Sequence, residues 1–166
     1  MGMDTGNKRI SIGQIIACVV IVVLLGAVFW PVDTGERPIS SGVRCLSNVK
    51  QMALGLLMYS GDYDSKMPKA DRWMDSIKEY AKFEGIFHDP AMIEPGEYGY
   101  AFRKSASGLN ADKVPKQEDY AVIFDSRLLQ RNAHSELWSL PKPGRHSGSN
   151  NIGFLDGHAK SIKDKP

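Results

Sequence analysis

His146, Asp156 and His158 are the residues whose types could most readily act together. Imidazole nitrogens and a carboxylate can share a metal ion or pass a proton, provided that they converge on one point within about 2.0–2.2 Å of an ion or within hydrogen-bond reach of a substrate. Spacing alone does not bring them together. Ten residues of extended chain can hold His146 and Asp156 up to about 33–36 Å apart, and only a fold-back through Gly148-Ser-Asn-Asn151 would join them. Asp156-Gly157 has a simpler use, because Asp-Gly between two strand-like runs is favoured in tight hairpin turns, where positive φ is needed at the central residues. The turn reading is preferred, with His146 hydrogen-bonded locally beside its loop and no metal ligand assigned.

Other candidates are weaker. Asp62, Asp64 and Asp71 offer oxygens to calcium, but a calcium loop needs more acidic positions and a downstream Glu in fixed order. Cys45 has no histidine near it in sequence, and no Gly-x-Ser-x-Gly elbow or phosphate-cradling glycine loop occurs. His88 and His134 stand alone. Tyr98, Tyr100, Phe102, Tyr120 and Phe124 alternate as strand faces do and are expected in a core rather than as a carbohydrate platform. No catalytic residue and no cofactor is predicted.

The elements that would position these residues follow from periodicity. Val43, Leu46, Val49, Ala53, Leu56 and Leu57 recur at spacings of three and four, which predicts an amphipathic helix. Ser40 or Ser41 suits its N-cap and Gly61 its C-terminal turn. Asp71 is the expected cap of a second helix carrying Trp73, Ile77, Tyr80 and Ala81, ended by Gly85. Residues 97–102 and 120–124 read as strands, 103–119 as a long loop, and 128–138 as a loose helix or an excursion. Residues 151–155 and 158–162 form the hairpin about Asp156-Gly157. Helices followed by antiparallel strands make an α+β layout.

Upstream, Ile15–Trp30 is sixteen residues without a charge, extended by Ile10 and Ile12 to the length of about 20 residues that crosses a bilayer core. Lys8 and Arg9 precede it, and Asp33 and Glu36 follow, which places the N-terminus in the cytoplasm. A cleaved signal has a shorter apolar region and a small-residue cleavage site; Phe29-Trp30-Pro31 is neither. A buried helix of a globular domain would show a polar face. The expected organisation is a cytoplasmic tail over 1–9, a transmembrane anchor over 10–30, a Pro/Gly-rich linker over 31–42 and an extracytoplasmic domain over 43–166, in the cytoplasmic (inner) membrane. Setting aside Asp4, Lys8 and Arg9 leaves 19 basic and 18 acidic residues. That balance excludes nucleic acid as a partner, which needs concentrated basic surface. Cys18 and Cys45 do not pair, since one lies in the anchor and the other in the domain.

Two stretches together resemble a known family. Cys45-Leu-Ser-Asn-Val-Lys-Gln51, Leu56-Leu-Met-Tyr59, Asp62-Tyr-Asp64 and Pro68 are similar to the helix of the prepilin-type, processing-associated H-X9-DG proteins. Arg145-His146, nine intervening residues and Asp156-Gly157 match that family's C-terminal signature. Tyr98-Gly-Tyr100 and Ile123-Phe-Asp125-Ser126 resemble the strands between. The likeness spans about residues 43–162. It implies a pilin- or pseudopilin-like domain, a long helix packed on a small antiparallel sheet. The function implied is a non-enzymatic one, contact with other envelope or pilin-like proteins in an envelope or type II secretion-like assembly. An extracytoplasmic glycan- or calcium-binding module is the alternative. The chain departs from the pattern at its start, where Gly13 is followed by Gln14-Ile-Ile-Ala-Cys instead of Phe-Thr-Leu-Ile-Glu, and where Pro31 and Pro38 interrupt the helix. It departs again at Phe87-His-Asp89-Pro90, where relatives carry Phe-x-Cys-Pro; a bridge from Cys45 to that position is unavailable to this chain.

Overall fold

A computed structural model describes residues 12–28 and 40–164. The chain divides into two compact units, Met1–Arg37 and Pro38–Pro166. In the first, α1 (Ile12–Val28) is a 17-residue helix whose side chains from Ile12 to Val23 are exposed. At about 1.5 Å per residue it is roughly 25 Å long, short of the ~30 Å hydrocarbon core. Among the described residues no helix is long and apolar enough to cross a membrane. The expected transmembrane anchor over 10–30, and the inner-membrane location that followed from it, are therefore overturned. Ile10, Phe29, Trp30 and most of the linker over 31–42 lie outside the described residues.

The second unit begins with α2 (Ser41–Asp62), capped by the Ser40 hydroxyl, which accepts from the Val43 amide. The helix runs past Gly61, and Tyr63 is its C-cap. Cys45, Val49, Met52, Ala53 and Leu56 form its buried stripe at helical spacing. Each large apolar side chain so enclosed contributes about 1.5–3 kcal/mol relative to leaving it in water. The second helix is shorter than its pattern suggests. A 3-10 turn over Ala70–Arg72 leads into α3 (Trp73–Ile77), and Asp71 makes no capping bond. The Trp73 indole anchors the start of this helix: its Nε1 donates to the Ala133 carbonyl at 2.9 Å, and its ring packs on Phe87 and Phe102.

Five strands follow: β1 (Tyr100–Arg103), β2 (Ala121–Asp125), β3 (His134–Ser135), β4 (Ser149–Phe154) and β5 (Ala159–Lys163). Their order is β3-β1-β2-β4-β5. The expectation of an antiparallel sheet is corrected, because β3 runs parallel to β1 and the sheet is mixed. That pairing needs a crossover, and the chain after β2 supplies it: residues 126–133 return to the opposite edge. Of the two readings of 128–138, a loose helix or an excursion, the excursion therefore holds, and it carries a two-residue strand. The fold is α+β, with three α-helices and a five-stranded mixed sheet among the described residues.

Period-two alternation assigns the faces. Tyr100, Phe102 and Ile123 join the core beneath α2, whereas Ala101, Phe124, Ile152 and Phe154 form a second cluster with Leu128 and Leu140. The polar stretch 103–119 is a chain of three 3-10 turns, tied to the end of α2 by the amides of Met67 and Ala111, which donate to Leu109 and Ser65 carbonyls. The hairpin between β4 and β5 has a three-residue loop, Leu155–Gly157. The Gly157 amide donates to Phe154, and Phe154 pairs with His158. Gly157 takes φ +87°, the left-handed position of a turn followed by a bulge. Asp156 stays at negative φ, so only one of the two residues needs positive φ.

Candidate functional site

The end of β2 carries Asp125 on the same face as Ile123, toward α2. Tyr100 faces it across the β1–β2 ladder, and α2 lays Cys45 over both. Two polar side chains and a thiol therefore meet at 0% exposure. The Cys45 thiol donates to Asp125 Oδ1 at 3.1 Å and accepts from the Tyr100 hydroxyl at 3.3 Å. Asp125 Oδ2 accepts the Asn151 amide of β4 at 2.7 Å.

Two further groups arrive from loops. After the 3-10 turn over Glu84–Phe87, Asp89 turns inward and receives the Ala91 amide on Oδ1 at 2.9 Å. Before β4, a tight turn closed by reciprocal bonds between His146 and Ser149 aims His146 under the start of α2. Its Nε2 stands 3.4 Å from Asp125 Oδ2 and 3.7 Å from Asp89 Oδ2, within ion-pair range of both carboxylates. The imidazole is 6% exposed, and neither ring nitrogen has a hydrogen-bond partner. Cys45, Asp89, Asp125 and His146 bring one donor atom each to within 4.8 Å of one another, the single such group of metal-capable side chains among the described residues.

Arg145 closes the side nearest Asp89. Its guanidinium donates to Asp89 Oδ2 at 2.7 Å, to the Gly99 carbonyl at 2.8 Å and to the Ser126 carbonyl. Gly99 holds φ +82°, and a Cβ there would stand 2.9 Å from that of Asp89. The position requires glycine for both reasons. Two clefts reach the cluster's margins. One of about 270 Å³ is lined by Ser40, Gly42, Leu46, His146, Asn151 and Ser161. The other, of about 580 Å³, passes Arg44, Asn48, Phe83, His88 and Met92 to Asp89.

Electrostatics follow from this enclosure. Burial, and then the Asp125 and Asp89 carboxylates, push the Cys45 thiol far up, so it stays protonated. Burial lifts Asp125 to about 6. Burial also opposes ionisation of Asp89, but the facing His146, the Ala91 amide and Arg145 outweigh it and hold the group below its ordinary range. Asp89 raises His146, with burial acting against it and Asp125 in support.

His146, Asp156 and His158 do not converge. His158 Nδ1 pairs with Asp156 Oδ1 at 2.5 Å on the hairpin, while His146 sits before the other end of β4, which at about 3.3 Å per residue spans roughly 17–20 Å. The expected local hydrogen bond of the His146 ring is replaced by its contact with Asp89 and Asp125. Asp62 accepts the Tyr80 hydroxyl at 2.7 Å, His88 bonds the Glu97 carbonyl, and His134 bonds the Asn132 carbonyl. Asp89 and Asp125 escaped the sequence reading as site residues, although Asp125 follows Ile123 at strand period. Asp89 brings a donor atom to within 4.8 Å of the Cys45 sulfur.

No family model, no curated protein and no solved structure matches the chain.

Proposed function

We propose that this chain is a non-enzymatic interaction module of the H-X9-DG kind, working by contact with other pilin-like chains in a secretion-related assembly. The observation that supports this best is the division of α2 into two faces. Its inner face is committed to the sheet. Its outer face exposes Val43, Leu54, Leu57 and Met58, with Leu54 and Leu57 beside Gly157 of the signature turn. Arg44 and Lys50 are exposed toward one end of this row and Asp62 and Asp64 toward the other. Two such helices laid antiparallel would bury the apolar row and pair opposite charges, so a second copy is the first candidate partner.

Catalysis has less support. A general acid or base must reach a proton on a substrate, and Asp89 and Asp125 are buried and already partnered. A glycan platform on the strands also has less support, because Tyr100, Phe102 and Phe124 are in the core. Sedimentation of the purified chain across a concentration series, with a photo-crosslinker at Met58, tests the reading. Adducts through α2 with a second copy or a co-expressed H-X9-DG chain are expected. A monomer that yields neither adduct contradicts it.

A further inference from the structure

We infer that Cys45 Sγ, Asp89 Oδ2, an oxygen of Asp125 and His146 Nε2 form a four-ligand site for a zinc-class divalent cation. A tetrahedral site with bonds of about 2.0 Å to nitrogen and oxygen and 2.3 Å to sulfur places neighbouring donor atoms roughly 3.3–3.5 Å apart. The separations present are 3.1 Å for Cys45–Asp125, 3.4 Å for His146–Asp125 and 3.7 Å for His146–Asp89. The first is measured to Asp125 Oδ1 and the second to Oδ2, so an ion would select one of the two oxygens. One donor atom from each of the four side chains lies within 4.8 Å of the others, close enough for an ion to draw them in. The buried His146 ring faces both carboxylates at ion-pair range, yet neither of its nitrogens makes a hydrogen bond, which leaves a buried polar group open to a ligand.

Charge selects the ion. One thiolate, two carboxylates and the Arg145 guanidinium sum to −2, which one divalent cation neutralises. Sulfur and imidazole select zinc over calcium, which takes six to eight oxygens. The supporting groups are in place too. Tyr100 donates to Sγ, the Asn151 amide donates to Asp125, and Arg145 donates to Asp89, as the outer partners of metal ligands do. Binding replaces the Cys45 S–H bond by an S–metal bond and releases that proton to solvent. With four protein ligands the site is closed and structural. It would pin the first half of α2 to the end of β2 and to the 145–149 turn, independently of any contact on the outer face of α2.

The full-length protein, stripped with chelator and reloaded, should retain one zinc per chain by elemental analysis. Cobalt in its place should show a thiolate charge-transfer band and the visible spectrum of tetrahedral Co²⁺. Cys45→Ser should lose the charge-transfer band, Cys18→Ser should keep it, and Tyr100→Phe should weaken binding about 10–100-fold. Zinc at 100-fold over its dissociation constant should raise the folded-to-unfolded ratio about 100-fold. Folded wild-type protein that retains no metal overturns the proposal. So does a charge-transfer band that survives Cys45→Ser or disappears in Cys18→Ser. If Cys45→Ser does not fold, unchanged affinity in Tyr100→Phe overturns it instead.

Discussion

The thiol of Cys45 on α2 donates to Oδ1 of Asp125 at the end of β2, across 3.1 Å and eighty residues of sequence. This bond joins the long helix to the sheet where His146 and Asp89 arrive from loops. Removing the carboxylate leaves the Asn151 amide and the Cys45 thiol without an acceptor in a dry setting, and takes from His146 one of its two facing carboxylates. Asp125→Ala should therefore destabilise the domain by about 3–5 kcal/mol, against about 1–3 kcal/mol for Asp125→Asn, which keeps an acceptor. Urea denaturation measures both.

Arg145 and Asp89 form a second such pair, with side chains 12% and 0% exposed. Arg145→Ala strands a buried carboxylate and should cost about 3–5 kcal/mol. Adding Asp89→Ala should recover part of that loss, giving a coupling of more than about 1 kcal/mol in a double-mutant cycle. Strict additivity would show that the pair does not act as a unit.

Stability in chelator should decline as pH rises from mildly acidic to alkaline. His146 is raised above its ordinary 6.5, so its contribution is complete below 6.5 and lost as pH climbs through the folded value. Asp125, raised from 3.8 to about 6, binds its proton more tightly when folded and loses stability over that interval, with the same sign. Asp89, held low, acts oppositely and only below 3.8. Denaturation midpoints at about pH 5.5 and about pH 8 should differ in the wild type, and His146→Gln should shrink the difference.

Gly157 combines φ +87° with a neighbour, Leu54 Cδ2, only 2.9 Å from where a Cβ would stand. Gly157→Ala should cost about 1–2 kcal/mol from the left-handed backbone, more if Leu54 cannot move. Thermal unfolding reads this directly.

Leu57→Asp with Met58→Asp changes only exposed positions of α2. Stability should shift by less than about 0.5 kcal/mol per site, while self-association measured by sedimentation should fall away. Unfolding by the pair of substitutions would place these residues in the core instead.

The buried stripe of α2 and the strands about Tyr100 and Ile123 were legible because each follows one period over several residues. The run ending at Trp30 was misread as a membrane span because apolar composition alone does not fix the length of a helix, and among the described residues no helix is long and apolar enough to cross. The parallel β1–β3 pair was invisible, since a two-residue strand has no periodicity. The site was half legible. His146 stood out, but its partners Asp89 and Asp125 lie 57 and 21 residues upstream, and only the packing of α2 over β1, β2 and β4 brings them to it. Asp156, by contrast, was correctly attached to a turn, because that signal is local.

The most direct test is anomalous diffraction at the zinc edge from crystals of the zinc-loaded chain. One peak is expected among Cys45 Sγ, Asp89, Asp125 and His146 Nε2, at about 2.0–2.3 Å from each. Density confined to the protein surface, with the four side chains arranged around no ion, would contradict the site.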